Sequence, residues 1–164
     1  MGTAELLADA FGRVREELHA AVDGLSEDEL AVRLDADANS IAWLAWHLTR
    51  VQDDHVAGAF GVEQLWPKWR ERFGLSGNAV GYGDTTEQVA RVRADAELLT
   101  AYHDAVYQQT IDLVSGVSDA DLPRVVDDRW DPPVTLSVRL VSVISDCLQH
   151  VGQAAFIRGI IERR

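Results

Sequence analysis

The stretch Asn39-Ser40-Ile41-Ala42-Trp43-Leu44-Ala45-Trp46-His47-Leu48 decides the fold, because it reads as the opening of a long and mostly apolar helix. Ser40 is a residue type that caps a helix by accepting a bond from a free backbone N–H, and the predicted helix runs on to about Phe60. On a wheel of about 100° per residue, Trp43, Leu44, Val51 and Gly58 gather around His47, while Thr49 and Asp53 fall on the far side. His47 therefore points into a core.

Outward from this segment, heptad-like spacing of apolar residues predicts three further helices. The first covers about Thr3 to Val22, with Leu6, Leu7, Phe11, Val14, Leu18 and Val22 on one face. Another covers about Asp95 to Val114. The last, about Ser137 to Ile161, follows Pro132-Pro133, which can precede a helix but not sit inside one. Four helices of about 20 residues, each about 30 Å long, make an all-α four-helix bundle. Gly24-Leu25-Ser26 and Gly116-Val117-Ser118 each follow one helix and precede another, suggesting a pseudo-repeat of helix pairs. Between the second and third helices lies a long crossover containing Trp66, Trp69 and Tyr82. A connection of that length is usually functional or carries short helices. Its aromatic residues are expected either to form a lid or cofactor wall, or to cap the bundle.

Composition restricts what such a bundle does. The 164 residues are 47% hydrophobic and 26% charged, the balance of one globular domain spanning 1–164. No run of about 18 apolar residues is present, so no membrane-spanning helix is expected. The N-terminus lacks the basic start and apolar stretch of a secretory signal. The lone Cys147, expected to pack in the core, fits a reducing cytoplasmic setting. With 27 acidic residues against 15 basic ones the net charge is −12, which argues against nucleic acid or an anionic membrane as partner. A small molecule or another protein remains, a second copy of the chain included. All basic residues except Lys68 are arginine, a bias that suggests a GC-rich genome.

The histidines carry the chemistry. A lone core histidine such as His47 is ordinarily a packed residue rather than a ligand. On the last helix, Asp146 and His150 stand i, i+4 and so share a face, with Arg139, Ser142 and Gln153 within about 40° of Asp146. Such a pair is commonly solvated, but this stripe turns apolar at Ile157 and Ile160, as a covered face would. Together, His47, Asp146 and His150 form a set of two imidazoles and one carboxylate, which bundles use to hold metals from facing helices. Three ligands with open positions suit catalytic zinc, with iron(II) or nickel as alternatives. Arg139 is a candidate for a substrate carboxylate or a plain surface residue. Gln153 and Trp43 lie beside the set, and His103 is expected either to line a pocket with Tyr102 and Tyr107 or to pack in the core. His55, about 12 Å along the axis from His47, is too far to share its ion.

The segments Ser40-Ile41-Ala42-Trp43-Leu44-Ala45-Trp46-His47-Leu48 and Asp146-Cys147-Leu148-Gln149-His150-Val151-Gly152-Gln153 resemble the DinB-like four-helix superfamily. The nearest branch holds mycothiol-dependent maleylpyruvate isomerase and the mycothiol S-transferases. In that branch a His of the second helix and a Glu-x-x-x-His pair of the fourth bind zinc, which maps onto His47, Asp146 and His150. Asp146 departs from the Glu of the branch, and Gln153 stands where a His is common. The resemblance implies a metal-dependent thiol transferase or isomerase, with a thiol such as mycothiol held as metal thiolate against a small electrophile. The arginine-rich composition fits an actinobacterium, the group that makes mycothiol. Two alternatives stand beside it: a metal-dependent hydrolase, for which Asp54 is the candidate base, and a non-catalytic binding or dimerisation module with a vestigial site.

Overall fold

The computed structural model describes residues 2–163. Four long helices form the body: α1 (Thr3–Val22), α3 (Ile41–Phe60), α6 (Ala96–Val114) and α7 (Leu136–Ile161). Their ends follow local chemistry. Ser40, Asp95 and Thr135 each accept a backbone N–H three residues on, capping α3, α6 and α7. At its other end α3 stops at Gly61, whose φ of 68° is left-handed. A one-turn helix, α2 (Glu27–Leu30), follows α1 behind a capping box in which Ser26 and Glu29 satisfy each other's backbone. The corresponding link after α6 is a turn tied by Ser118 to the Asp121 carboxylate, without a helix.

Each long helix packs on two others: α3 on α7 and α6, α1 on α7 and α6. Helices α1 and α3 therefore lie across one diagonal and α6 and α7 across the other. Consecutive long helices α1 and α3 are not neighbours, so the bundle is not a plain up-down-up-down one. The long connection from α3 to α6 carries α4 (Trp66–Trp69) and α5 (Thr86–Arg91). An element the all-α expectation did not include is a small hairpin before α7. Its strands β1 (Val125–Asp127) and β2 (Val134–Thr135) pair antiparallel, Val125 with Thr135 and Asp127 with Val134.

The core is apolar and continuous, from Phe11, Val14 and Leu18 of α1 through Leu44 and Leu48 of α3 to Leu140, Val143 and Cys147 of α7. The α3 helix departs from the two-faced reading: every residue from Ile41 to Asp53 is buried. Its supposed outer face, with Thr49 and Asp53, is covered by α6 and the crossover. Of the buried polar groups there, Thr49 Oγ1 donates to Ala45 O and Gln52 Nε2 donates to Thr110, while Gln52 Oε1 has no partner among the described residues. Helix α7 reaches a mean hydropathy of 1.2, enough by length and composition to cross a membrane, although no unbroken apolar run occurs. One side of it is core; the other leaves Val138, Val141, Leu148 and Phe156 exposed.

Candidate metal centre

Helices α3 and α7 pack side by side, and where they meet the side chains of His47, Asp146 and His150 converge. One potential ligand atom from each lies within 4.8 Å of the other two. The imidazoles of His47 and His150 are 4.8 Å apart between centroids, nearly perpendicular. His47 is buried, whereas Asp146 and His150 are about a fifth to a quarter exposed, so the cluster is sealed on the α3 side and open on the other.

Both histidines have their Nδ1 atoms occupied. His47 Nδ1 is 2.5 Å from the carbonyl oxygen of Val80, and that of His150 is 2.8 Å from Gln153 Oε1. Both oxygens only accept, so each Nδ1 carries the proton and each Nε2 keeps a free lone pair. His150 Nε2 faces Asp146 Oδ1 at 3.8 Å, longer than a hydrogen bond. Asp146 Oδ2 is shielded from solvent and has no protein partner. Burial lowers the pKa of His47, keeping the ring neutral as a ligand must be. Two lone pairs and a carboxylate with an orphaned oxygen are the donor set of a divalent cation, and the residues fit one.

Aromatic side chains frame the cluster. Trp43 stacks on His47 with centroids 4.5 Å apart and donates its Nε1–H to Asp84. Gly81 lies against the same ring: a Cβ there would stand 2.7 Å from His47 Nδ1, so only glycine fits. Tyr82 meets His47 edge-on at 5.1 Å and stacks near His55. Although more than half exposed, Tyr82 is packed closely enough that partial burial and then the charge of Asp146 push its phenol up to about 12. It remains a hydrogen-bond donor at neutral pH.

The other expected site residues divide. Trp43 and Gln153 touch the cluster directly. Arg139 does not reach it: its guanidinium donates to Asp127 at 2.9 Å, beside Arg129, in a cleft of about 300 Å³ that also contains Asp54 and His55. The Arg129 hydrogen bonds hold the Asp127 carboxyl far below the usual range, so it stays ionised between two guanidiniums and leaves the trio with one positive charge in excess. His103 lies away from the cluster, fully buried between α3 and α6, with Nδ1 3.1 Å from Thr49 Oγ1. Its place is the core because α6 turns that edge inward toward α3. Asp54 is occupied by His55 and Gln64. In the crossover, Trp66 is buried against Trp46, Phe73 and Tyr102 and caps the core, while Tyr82 alone of the three aromatics stands at the cluster. Cys147 is buried, and burial raises its thiol pKa, so it is no nucleophile.

Sequence reasoning missed Val80, Gly81 and Arg50. A backbone carbonyl leaves no mark in the sequence, but Gly81-Tyr82-Gly83 is a signal that the chain passes close to something there.

Comparison with known proteins gives a consistent picture. The family model for mycothiol-S-transferase matches residues 6–163. Among solved structures, a conserved protein from Enterococcus faecalis is similar with a TM-score of 0.90 and 28% identity, over 100% of this chain and 99% of that one. No curated protein matches.

Proposed function

Since the chain belongs to the mycothiol S-transferase family, we propose that it is a metal-dependent thiol transferase acting on a small electrophile. His47, Asp146 and His150 hold the divalent cation, zinc in the first place, with nickel or iron(II) compatible with the same donors. The observation that carries this reading is the convergence of two Nδ1-anchored imidazoles on a carboxylate whose second oxygen has no partner. A cation there supplies the charge that lowers the pKa of a thiol cosubstrate of the mycothiol type, making it nucleophilic at neutral pH.

The chain's own residues do the rest. Two neutral imidazoles and one carboxylate contribute a single negative charge, leaving the site net positive once a divalent ion is bound. Trp43 and Gly81 wall off the buried side, so the thiol and its electrophile approach from the open side beside Tyr82. The Tyr82 ring stands on that side against His47, and its hydroxyl, protonated at working pH, serves in this reading as a hydrogen-bond donor to the incoming groups. In the transfer, the thiol proton leaves to solvent and the sulfur forms a C–S bond. The bond from that carbon to its leaving group breaks, and the group departs with the electron pair. Arg139 donates to Asp127 from Nη2, which leaves its other N–H groups for a substrate carboxylate that enters the same cleft. The single-domain organisation and a small-molecule substrate belong to the same proposal.

The test is S-conjugation of a small electrophile by mycothiol, with metal-loaded wild type and His150→Ala. Transfer by the wild type that is lost in the variant is the expected result. Ester or amide hydrolysis without thiol consumption would favour the hydrolase instead, and no reaction at all would leave a binding module.

A further inference from the structure

Arg50 is the largest buried charge in the bundle, and neither the donor set nor the substrate side uses it. Its guanidinium, 0% exposed, donates from Nε to Ala79 O at 3.3 Å and from Nη2 to Asn78 O at 3.1 Å. From Nη1 it reaches Gln64 Oε1, the Tyr102 hydroxyl and Asp53 Oδ2. The neighbouring carbonyls are held in the same manner: Gly77 O by Trp66 Nε1–H and Val80 O by His47 Nδ1–H. Four consecutive carbonyls, 77 to 80, are thus pinned by three side chains. Trp43, His47 and Arg50 stand at i, i+4 and i+7 on α3, one face of the helix, and Trp43 extends the seam to Asp84. Asp53 completes the clamp by accepting the Leu65 and Trp66 amides and the Tyr102 hydroxyl, which fixes the start of the crossover as Arg50 fixes its return.

We propose that Arg50 is a positioning residue: by gripping the 78–79 carbonyls it holds the Val80 carbonyl on His47 Nδ1, which locks His47 in the tautomer that presents Nε2 to Asp146 and His150. The inference rests on the proposed metal site but concerns a feature of the metal-free chain. Without the fork, no other side chain among the described residues grips the first two carbonyls of the 78–80 segment, and the Val80–His47 bond is left to hold itself. A lysine keeps the buried charge opposite Asp53 but cannot span two carbonyls and Gln64 at once.

The test uses protein carrying ¹⁵N-labelled histidine, metal-free, with the ring tautomer read from long-range ¹H–¹⁵N spectra and folding checked by circular dichroism. In the wild type His47 is expected as the Nδ1–H form alone; in Arg50→Met and Arg50→Lys the second tautomer appears. Zinc dissociation constants, from competition with a chromophoric chelator, rise by about 10–100-fold, the range for a group that orients a metal ligand. In a His47→Ala background, Arg50→Met produces no further weakening. If Arg50→Met does not fold, Arg50→Lys decides. A single unchanged His47 tautomer in the folded variant, or a zinc loss undiminished when His47 is absent, overturns the proposal. A wild type that binds no zinc yet shows the tautomer change would overturn the metal reading alone and leave the positioning role standing.

Discussion

At Gly81 the backbone lies flat on an imidazole, with φ at +103° and room for no Cβ. Gly81→Ala must adopt a left-handed backbone and push against His47 Nδ1, Trp46 and Trp43. The expected cost is about 1–3 kcal/mol in a urea titration, together with weakened zinc binding; an unchanged affinity would show that His47 is not held from this side. The Cys147 thiol stands opposite in character, buried and donating only weakly to Leu48 O. It is expected not to react with a thiol reagent in the folded protein and to react fully once the chain is unfolded. At this scale the sequence spoke clearly where spacing along one helix sufficed. Asp146 and His150 are four apart, and a histidine among Trp43, Leu44 and Val51 points inward. Asp53 fell on the far side of the wheel and Arg50 gave no signal, because most of their partners, backbone carbonyls and amides of the crossover, have no side-chain signature.

The elements divide by how much period they carry. The four long helices were legible because about five turns of apolar spacing, with Ser40 as a cap on the second and Pro132-Pro133 ahead of the last, outweigh any single residue. The hairpin was not, since strands of two and three residues contain no alternation to detect. The outer face of α3 was misjudged because its cover comes from α6 and the crossover, remote in sequence. That cover has a consequence for His103 on α6. Burial lowers its pKa to about 3 from the ordinary 6.5. Between those values the unfolded chain binds a proton that the folded one refuses, so this contribution to stability is complete above pH 6.5. It is lost as pH falls, by about 1.4 kcal/mol per pH unit. Unfolding free energies from urea titrations at pH 7 and 5 should therefore differ by about 2 kcal/mol more in wild type than in His103→Gln; parallel profiles would contradict the burial argument.

For the whole molecule, the crossover matters more than its irregular shape suggests. It packs Trp66 on the core, carries Val80 and Gly81 to His47, and so joins the integrity of the fold to the geometry of the cluster. Binding a cation at a site that exists only in the folded chain must then stabilise the whole. At a free metal concentration about 100 times the dissociation constant, the gain is about 2.7 kcal/mol. For a chain of this size that raises Tm by roughly 5–10 °C, and a chelator should reverse it. Central to all of this is the proposal that His47, Asp146 and His150 hold one divalent ion. The most direct test is elemental analysis of protein purified without a histidine tag, wild type beside His150→Ala. Near one zinc, nickel or iron per chain in the wild type and little in the variant is the predicted result. No metal in the wild type, even after zinc is added back, would contradict it.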